Sequence, residues 1–278
     1  MSGTLYVVAT PIGNLEDLTP RARQTLAAVD LIAAEDTRHT GRLLMHIGCK
    51  TSQMALHEHN ESRVTPLLIK RLKSGKSVAL VSDAGTPLVS DPGFALVRAA
   101  QQNRIPVSPV PGACALIAGL SVAGLPTDRF CFEGFLPSKA KARRARLEEL
   151  AGEGRTIVCY ESVHRIAAAI ADMAQVFGGE RPAFIGRELT KQHEQCVAAP
   201  LEELARKLGD QSITTKGEYV VVVGGCEGQN ATFTDVDRLL LELAAELPAK
   251  RVAAIAARVT GQGRNALYRR LLQLTQTS

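Results

Sequence analysis

Tryptophan is absent from this 278-residue chain, and aromatic side chains make up only 4% of it. Single-stranded nucleic acid is commonly held by stacking its bases on Phe, Tyr and Trp, so a stacking platform finds little support. Metal-ligand spacing is missing as well. The six cysteines, at 49, 114, 131, 159, 196 and 226, lie far apart, no Cys-x-x-Cys occurs, and no histidine pair stands at zinc spacing. No metal site is therefore expected, and scattered reduced thiols fit a cytoplasmic protein. The first residues, Met1-Ser2-Gly3-Thr4, lack the basic and apolar segments of a signal peptide. The longest uncharged stretch, 105–127, is broken by four prolines and Gly112. It reads as a buried strand, a turn and a helix, with no membrane partner implied. Phosphate cradles are absent too. No P-loop lysine occurs, and the first turn, Thr10 to Asn14, holds the single glycine Gly13. Without further glycines the backbone cannot approach a pyrophosphate, which argues against a dinucleotide.

What the chain does have is apolar material, 45% of residues, and a mild formal charge of +5. That suffices for two modest domains and an appendage. The first 124 residues alternate strand and helix. Apolar runs at Leu5–Ala9, Leu31–Ala34, Val78–Val81 and Ile105–Val110 are separated by helical segments at 63–74, 94–103 and 113–123, and Thr19-Pro20 opens another helix. The alternation predicts a mostly parallel sheet with helices on both faces. Residues 125–228 predict a second α/β domain with a partly antiparallel sheet, its strands at 130–135, 156–161, 183–187 and 219–223. A polar hinge at 224–232 leads to a module at 233–278, three short helices with Gly261-Gln262-Gly263 before the last. This resembles a helix-turn-helix.

The most informative stretch is Val81 to Gly93, Val-Ser-Asp-Ala-Gly-Thr-Pro-Leu-Val-Ser-Asp-Pro-Gly. A buried strand breaks there into a rigid loop bearing two carboxylates, at the strand end where α/β sheets bind ligands. Asp83 has the position of a ligand contact, whereas Asp91 and Pro92 read mainly as the rigid exit of the loop. Other strand ends converge with it: Thr10–Leu15, Glu35–Arg38 and Pro111–Ala115. The residues Ala9–Leu15, Ala34–Arg38, His57–Glu61, Val81–Gly93, Phe132–Pro137, Tyr160–Arg165 and Arg187–Lys191 resemble, in order, the motifs of the RsmI group. These are small-subunit ribosomal RNA (cytidine-2′-O)-methyltransferases of the tetrapyrrole methylase-like superfamily.

The resemblance implies two α/β domains with a cofactor cleft between them and S-adenosylmethionine as methyl donor. It implies donor contacts at Pro11, Asp83, Thr86, Cys114 and Ala115. Relatives usually have Ser where this chain has Cys114, a weaker hydrogen-bonding group. It also implies 16S rRNA or the small ribosomal subunit as partner, a cytidine near the decoding centre as target, and a homodimer. Glu35, Asp36, Arg38 and Lys191 are the residues expected to bind or activate the RNA ribose. His57 and His59 are open to either a surface or a catalytic role, and His39 and His46 read as structural. The acid-free run Lys139, Lys141, Arg143, Arg144 and Arg146 reads either as a solvated helix face or as a surface placed to hold RNA phosphates near the cleft. Two other readings stay open, a tetrapyrrole ring methylase and a non-catalytic nucleic-acid-binding regulator.

Overall fold

Short runs of Val, Leu, Ile and Ala build the first sheet, because β-branched and aliphatic side chains suit strands covered on both faces. The computed structural model describes residues 2–226 and 233–276, so most of the expected hinge, 227–232, lies outside the described residues. Strands β1 (Leu5–Val8), β2 (Leu31–Ala34), β3 (Gln53–Ala55), β4 (Val78–Val81) and β5 (Val107–Val110) form a wholly parallel sheet in the order β3-β2-β4-β1-β5. Alternate side chains go to opposite faces. Ile32, Ala34, Ala79 and Val81 pack under α1 (Pro20–Ala28) and α2 (Thr37–His46). Leu31, Ala33, Val78 and Leu80 pack under α3 (Glu61–Lys73) and α4 (Phe94–Gln102). The chain thus leaves β1 for one face and neighbouring β4 for the other. That divergence opens a crevice at the carboxyl ends of β1 and β4. Strand β3 was not expected from the sequence. His39 and His46, expected as structural, are exposed on α2.

The second sheet has the order β6-β7-β10-β8-β9, from β6 (Phe130–Phe135), β7 (Thr156–Ser162), β8 (Pro182–Arg187), β9 (Gln195–Pro200) and β10 (Glu218–Val223). Strands β6 and β7 pair in parallel and the other neighbours are antiparallel. One face is covered by α6 (Ala140–Leu150), α7 (Ile166–Phe177) and α8 (Leu201–Gly209). The other receives α5 (Ala115–Val122), whose Leu116 and Leu120 join Val158, Phe184, Val220 and Val222 in one core. The helix that follows the first sheet therefore seals the second. Both sheets belong to one compact unit, 1–225.

At the crossing of α5 over β10, a Cβ added to Gly119 would lie 2.6 Å from Val220 Cγ1. Replacing a helical glycine by alanine ordinarily stabilises by about 0.5–1 kcal/mol. Here Gly119→Ala is expected to destabilise by about 1–3 kcal/mol instead, through overpacking. Urea unfolding of the two proteins checks the sign.

The second unit, 226–278, is described by itself. Helices α9 (Phe233–Glu246), α10 (Ala249–Thr260) and α11 (Arg264–Gln276) bury Val236, Leu240, Val252, Ala256, Leu267 and Leu271 together. Gly261 ends α10 in the left-handed conformation at φ 72°, which glycine adopts without strain. Arg270 donates to Asp237 Oδ1 at 2.8 Å, tying α11 to α9.

Candidate active site

Two backbone hydrogen bonds lock the crevice loops together: Thr10 N to Gly85 O at 2.8 Å and Gly85 N to Thr10 O at 3.1 Å. Gly85 sits at φ 83°, the left-handed turn that lets β4's loop fold back against β1's. Thr86 Oγ1 donates to Ala113 O at 3.0 Å, bringing in the loop that starts α5. Tyr160 of β7 closes the ring from the second sheet, its hydroxyl accepting from Leu116 N at 3.1 Å.

These contacts surround a cavity of about 420 Å³, within the range of small-molecule sites. Among the described residues its wall carries six carboxylates, Glu35, Asp83, Asp91, Glu161, Glu188 and Glu218, and Lys191 is the single lysine or arginine in it. Thr86, Cys114 and Ala115 line it as well. Of the residues expected at the site, Glu35, Lys191, Asp83, Thr86, Cys114 and Ala115 are thus brought together. Pro11 is not in the wall; its neighbour Ile12 is.

Most of these carboxylates have work of their own. Asp83 Oδ1 accepts from Asp36 N at 3.0 Å, and Asp83 N donates to Glu35 Oε2 at 3.3 Å, a reciprocal clasp between the β2 and β4 loops. Burial raises the Glu35 pKa, and the Asp83 and Asp36 charges add to it against the Asp83 amide and His57. Glu161 Oε1 accepts from Arg165 Nε at 2.7 Å. Lys191 Nζ donates to Glu188 Oε1 at 2.8 Å and Glu218 Oε2 at 2.7 Å. Burial works against its charge, but the two carboxylates outweigh burial and raise the Lys191 pKa. Its stem crosses Gly13, where a Cβ would lie 2.2 Å from Lys191 Cγ.

Asp36 and Arg38 depart from the expected roles. The Asp36 side chain caps α2, accepting from Arg38 N at 2.8 Å, and its other oxygen takes Arg38 Nη2 at 2.7 Å. The guanidinium holds the Asp36 carboxyl far below the usual range. Neither residue lines the cavity, because a cap and its ion pair face each other at the helix start. His57 and His59 stand edge to face 6.1 Å apart, also outside the wall.

The basic run is corrected more sharply. Arg143 is only 4% exposed and gives Nε to Asp172 Oδ2 at 2.8 Å, so it is an internal ion pair between α6 and α7, not a phosphate contact. Arg146 is taken up by Glu133 at 2.8 Å and by Glu149. The reason is helical geometry: Arg143, Leu147 and Leu150 share the face of α6 turned to the core. Lys139, Lys141 and Arg144 stay exposed.

Sequence reasoning missed Tyr160, Glu188 and Glu218, and it misjudged Asp91, which stands in the wall rather than only at the loop exit. Backbone strain would have pointed there, but spacing does not reveal it. Of the six non-glycine residues with positive φ among the described residues, four, Leu88, Ser90, Glu188 and Thr190, lie in the two loops that contribute Asp91 and Lys191. Such strain gathers at ligand sites.

The model of the tetrapyrrole (corrin/porphyrin) methylases matches residues 4–205. The chain belongs to that family. A second model, the RsmI C-terminal HTH domain, matches residues 230–275. Among relatives, ribosomal RNA small subunit methyltransferase I of Pseudomonas aeruginosa is 54% identical over 98% of both chains. The protein of the same name from Escherichia coli O157:H7 is 49% identical, over 98% of this chain and 95% of its own. In fold, the chain is similar to the uroporphyrin-III C-methyltransferase of Thermus thermophilus, solved with S-adenyl homocysteine, with TM-score 0.55 and 19% identity. The match covers 80% of this chain and 97% of that one. The expected fold, two α/β halves around a cleft with a helical appendage, is the tetrapyrrole methylase fold. Among the described residues no helix is long and apolar enough to cross a membrane.

Proposed function

We propose that this tetrapyrrole methylase transfers the methyl group of S-adenosylmethionine to the ribose 2′-oxygen of a cytidine in 16S rRNA, near the decoding centre. One observation carries the reading: six carboxylates against one lysine around a switch-point cavity without a phosphate cradle. A sulfonium donor is a cation that bears no phosphate. A wall of this charge attracts it and repels nucleotide polyphosphates. The relatives' name, which specifies the small-subunit RNA, supports the acceptor.

In this reading Asp83, Thr86, Cys114 and Ala115 hold the donor, with Pro11 backing Ile12 from outside the wall. Glu35 and Lys191 face the ribose. The raised pKa of Lys191 keeps it charged, which suits holding an RNA phosphate or hydroxyl and not accepting a proton. Asp36 and Arg38 remain rim residues that fix the start of α2, and Lys139, Lys141 and Arg144 supply phosphate contacts without sequence reading. Holding the two reactants in line supplies much of the acceleration. The same reading has the chain act as a homodimer in the cytoplasm; light scattering on the purified protein tests the dimer.

The deciding experiment offers the protein labelled S-adenosylmethionine with 16S rRNA, with small ribosomal subunits and with a porphyrinoid. Label on a cytidine 2′-oxygen is expected. Label on the porphyrinoid alone, or on nothing, overturns the assignment.

A further inference from the structure

The six cavity carboxylates differ in what already occupies them. Glu188 and Glu218 share the Lys191 ammonium. Glu161 is paired with Arg165. Asp83 accepts a backbone amide from Asp36, and Glu35 accepts one from Asp83. Asp91 alone among them has neither a cation nor a backbone amide on its carboxylate; the Ser82 hydroxyl, which donates to Ala84 O at 3.4 Å, lies near it. The chain also goes to some expense to place it. Leu88 at φ 72° and Ser90 at φ 67° hold left-handed conformations just before it, and Gly93 follows at φ 122°. From the second sheet, Gly134 closes on the same turn, so that a Cβ there would lie 3.2 Å from Ser90 Oγ.

We propose that Asp91 is the general base of the reaction, the group that takes the proton of the ribose 2′-hydroxyl as that oxygen is methylated. The inference rests on the methyl-transfer reading above. As the 2′-oxygen bonds to the methyl carbon, the carbon–sulfur bond breaks and its electron pair returns to sulfur, leaving a neutral thioether. The proton moves from the 2′-oxygen to the Asp91 carboxylate and later to water. A base must be ionised yet basic enough to accept, and the surroundings tune Asp91 that way. Burial, then the Glu35 charge, push its pKa up to about 6; the Ser82 hydroxyl opposes this and Asp83 adds to it. The other titratable groups that face the cavity are Tyr160 and Tyr219, whose pKa values burial raises, Cys114, Glu161 with its partner Arg165, and the Lys191 cluster. Lys191 is answered by two carboxylates of its own.

The test compares Asp91→Asn, Asp91→Glu and Glu35→Gln in the full chain. Asp91→Asn is expected to lower kcat by about 10²- to 10⁴-fold. Its affinity for S-adenosylhomocysteine, read by calorimetry, is expected to stay within about threefold. In the parent protein the rate should climb with pH through the Asp91 titration and then level off. Asp91→Asn should lose that limb, Asp91→Glu should recover part of the rate, and Glu35→Gln should keep the limb but move it to lower pH, because the Glu35 charge that raises the Asp91 pKa is gone. Infrared titration of the unliganded protein should show one carboxyl ionising near the same pH that Asp91→Asn removes. An Asp91→Asn enzyme that keeps both rate and limb overturns the assignment, and so does a limb that vanishes with Glu35→Gln. If the parent protein methylates no small-subunit RNA, the functional reading itself fails and the base falls with it.

Discussion

With Lys191 replaced by alanine, the enzyme is expected to lose about 10- to 100-fold in kcat/KM for ribosomal RNA, the worth of one charged hydrogen bond of about 1.5–3 kcal/mol. Its affinity for S-adenosylmethionine should not weaken. The ammonium is the cavity's single lysine or arginine charge among the described residues, so removing it leaves a more negative wall facing a positive donor. The acceptor is a polyanion and feels the opposite change. If Lys191 meets a phosphate, the salt dependence of RNA binding should also lose about one unit of slope. Equal losses for donor and acceptor would mean that Lys191 only supports the loop. An unchanged kcat/KM would remove it from the site.

The largest effect on stability is expected at Arg143, a residue that composition leaves open between a solvated helix face and an RNA contact. Its guanidinium is buried against Asp172, with Nη2 2.7 Å from Oδ2. Arg143→Ala leaves that nearly buried carboxylate with only the half-exposed Arg144 guanidinium, 3.9 Å away, at a cost of about 3 kcal/mol, the low end for a broken buried pair. Removing both charges, as Arg143→Met with Asp172→Leu, should recover most of the loss, because an apolar pair of similar volume replaces the ion pair without a desolvation penalty. RNA affinity measured on the folded fraction should be unchanged by either variant. Urea unfolding gives the first result and filter binding the second. A wild-type transition for Arg143→Ala, or a loss of affinity in the double variant, would return Arg143 to the RNA surface.

The errors over Arg143 and Asp91 mark what a linear reading can carry. Strands with their own apolar run, such as Val78–Val81, are buried along their whole length and are visible as runs. Strands β3 and β9 stand at sheet edges, half-buried and rich in polar or small residues, so no run announces them. The site was legible where it sits on strand ends, because topology alone puts Glu35, Asp83, Thr86 and the start of α5 at one edge. It was not legible where identity depends on a distant partner. The Arg143–Asp172 pair spans 29 positions and the Lys191–Glu218 pair 27, and neither follows from spacing. Asp91 looked like a loop exit because the left-handed turns before it occur at Leu and Ser, which give no sign of them in sequence.

The passage of α5 from the first sheet to the second has a kinetic consequence. Its first turn forms part of the cavity wall and is bonded to Tyr160, and its middle lies against Val220 with no room for a methyl group. The two halves cannot swing apart like jaws without tearing this helix from the strands it covers. Exchange of donor and spent donor is then expected to depend on the strained loops at Leu88–Ser90 and Glu188–Thr190, which contribute Ser90, Glu188 and Leu189 to the cavity wall. The rate of turnover is then open to control by those few residues, while the scaffold behind them stays closed.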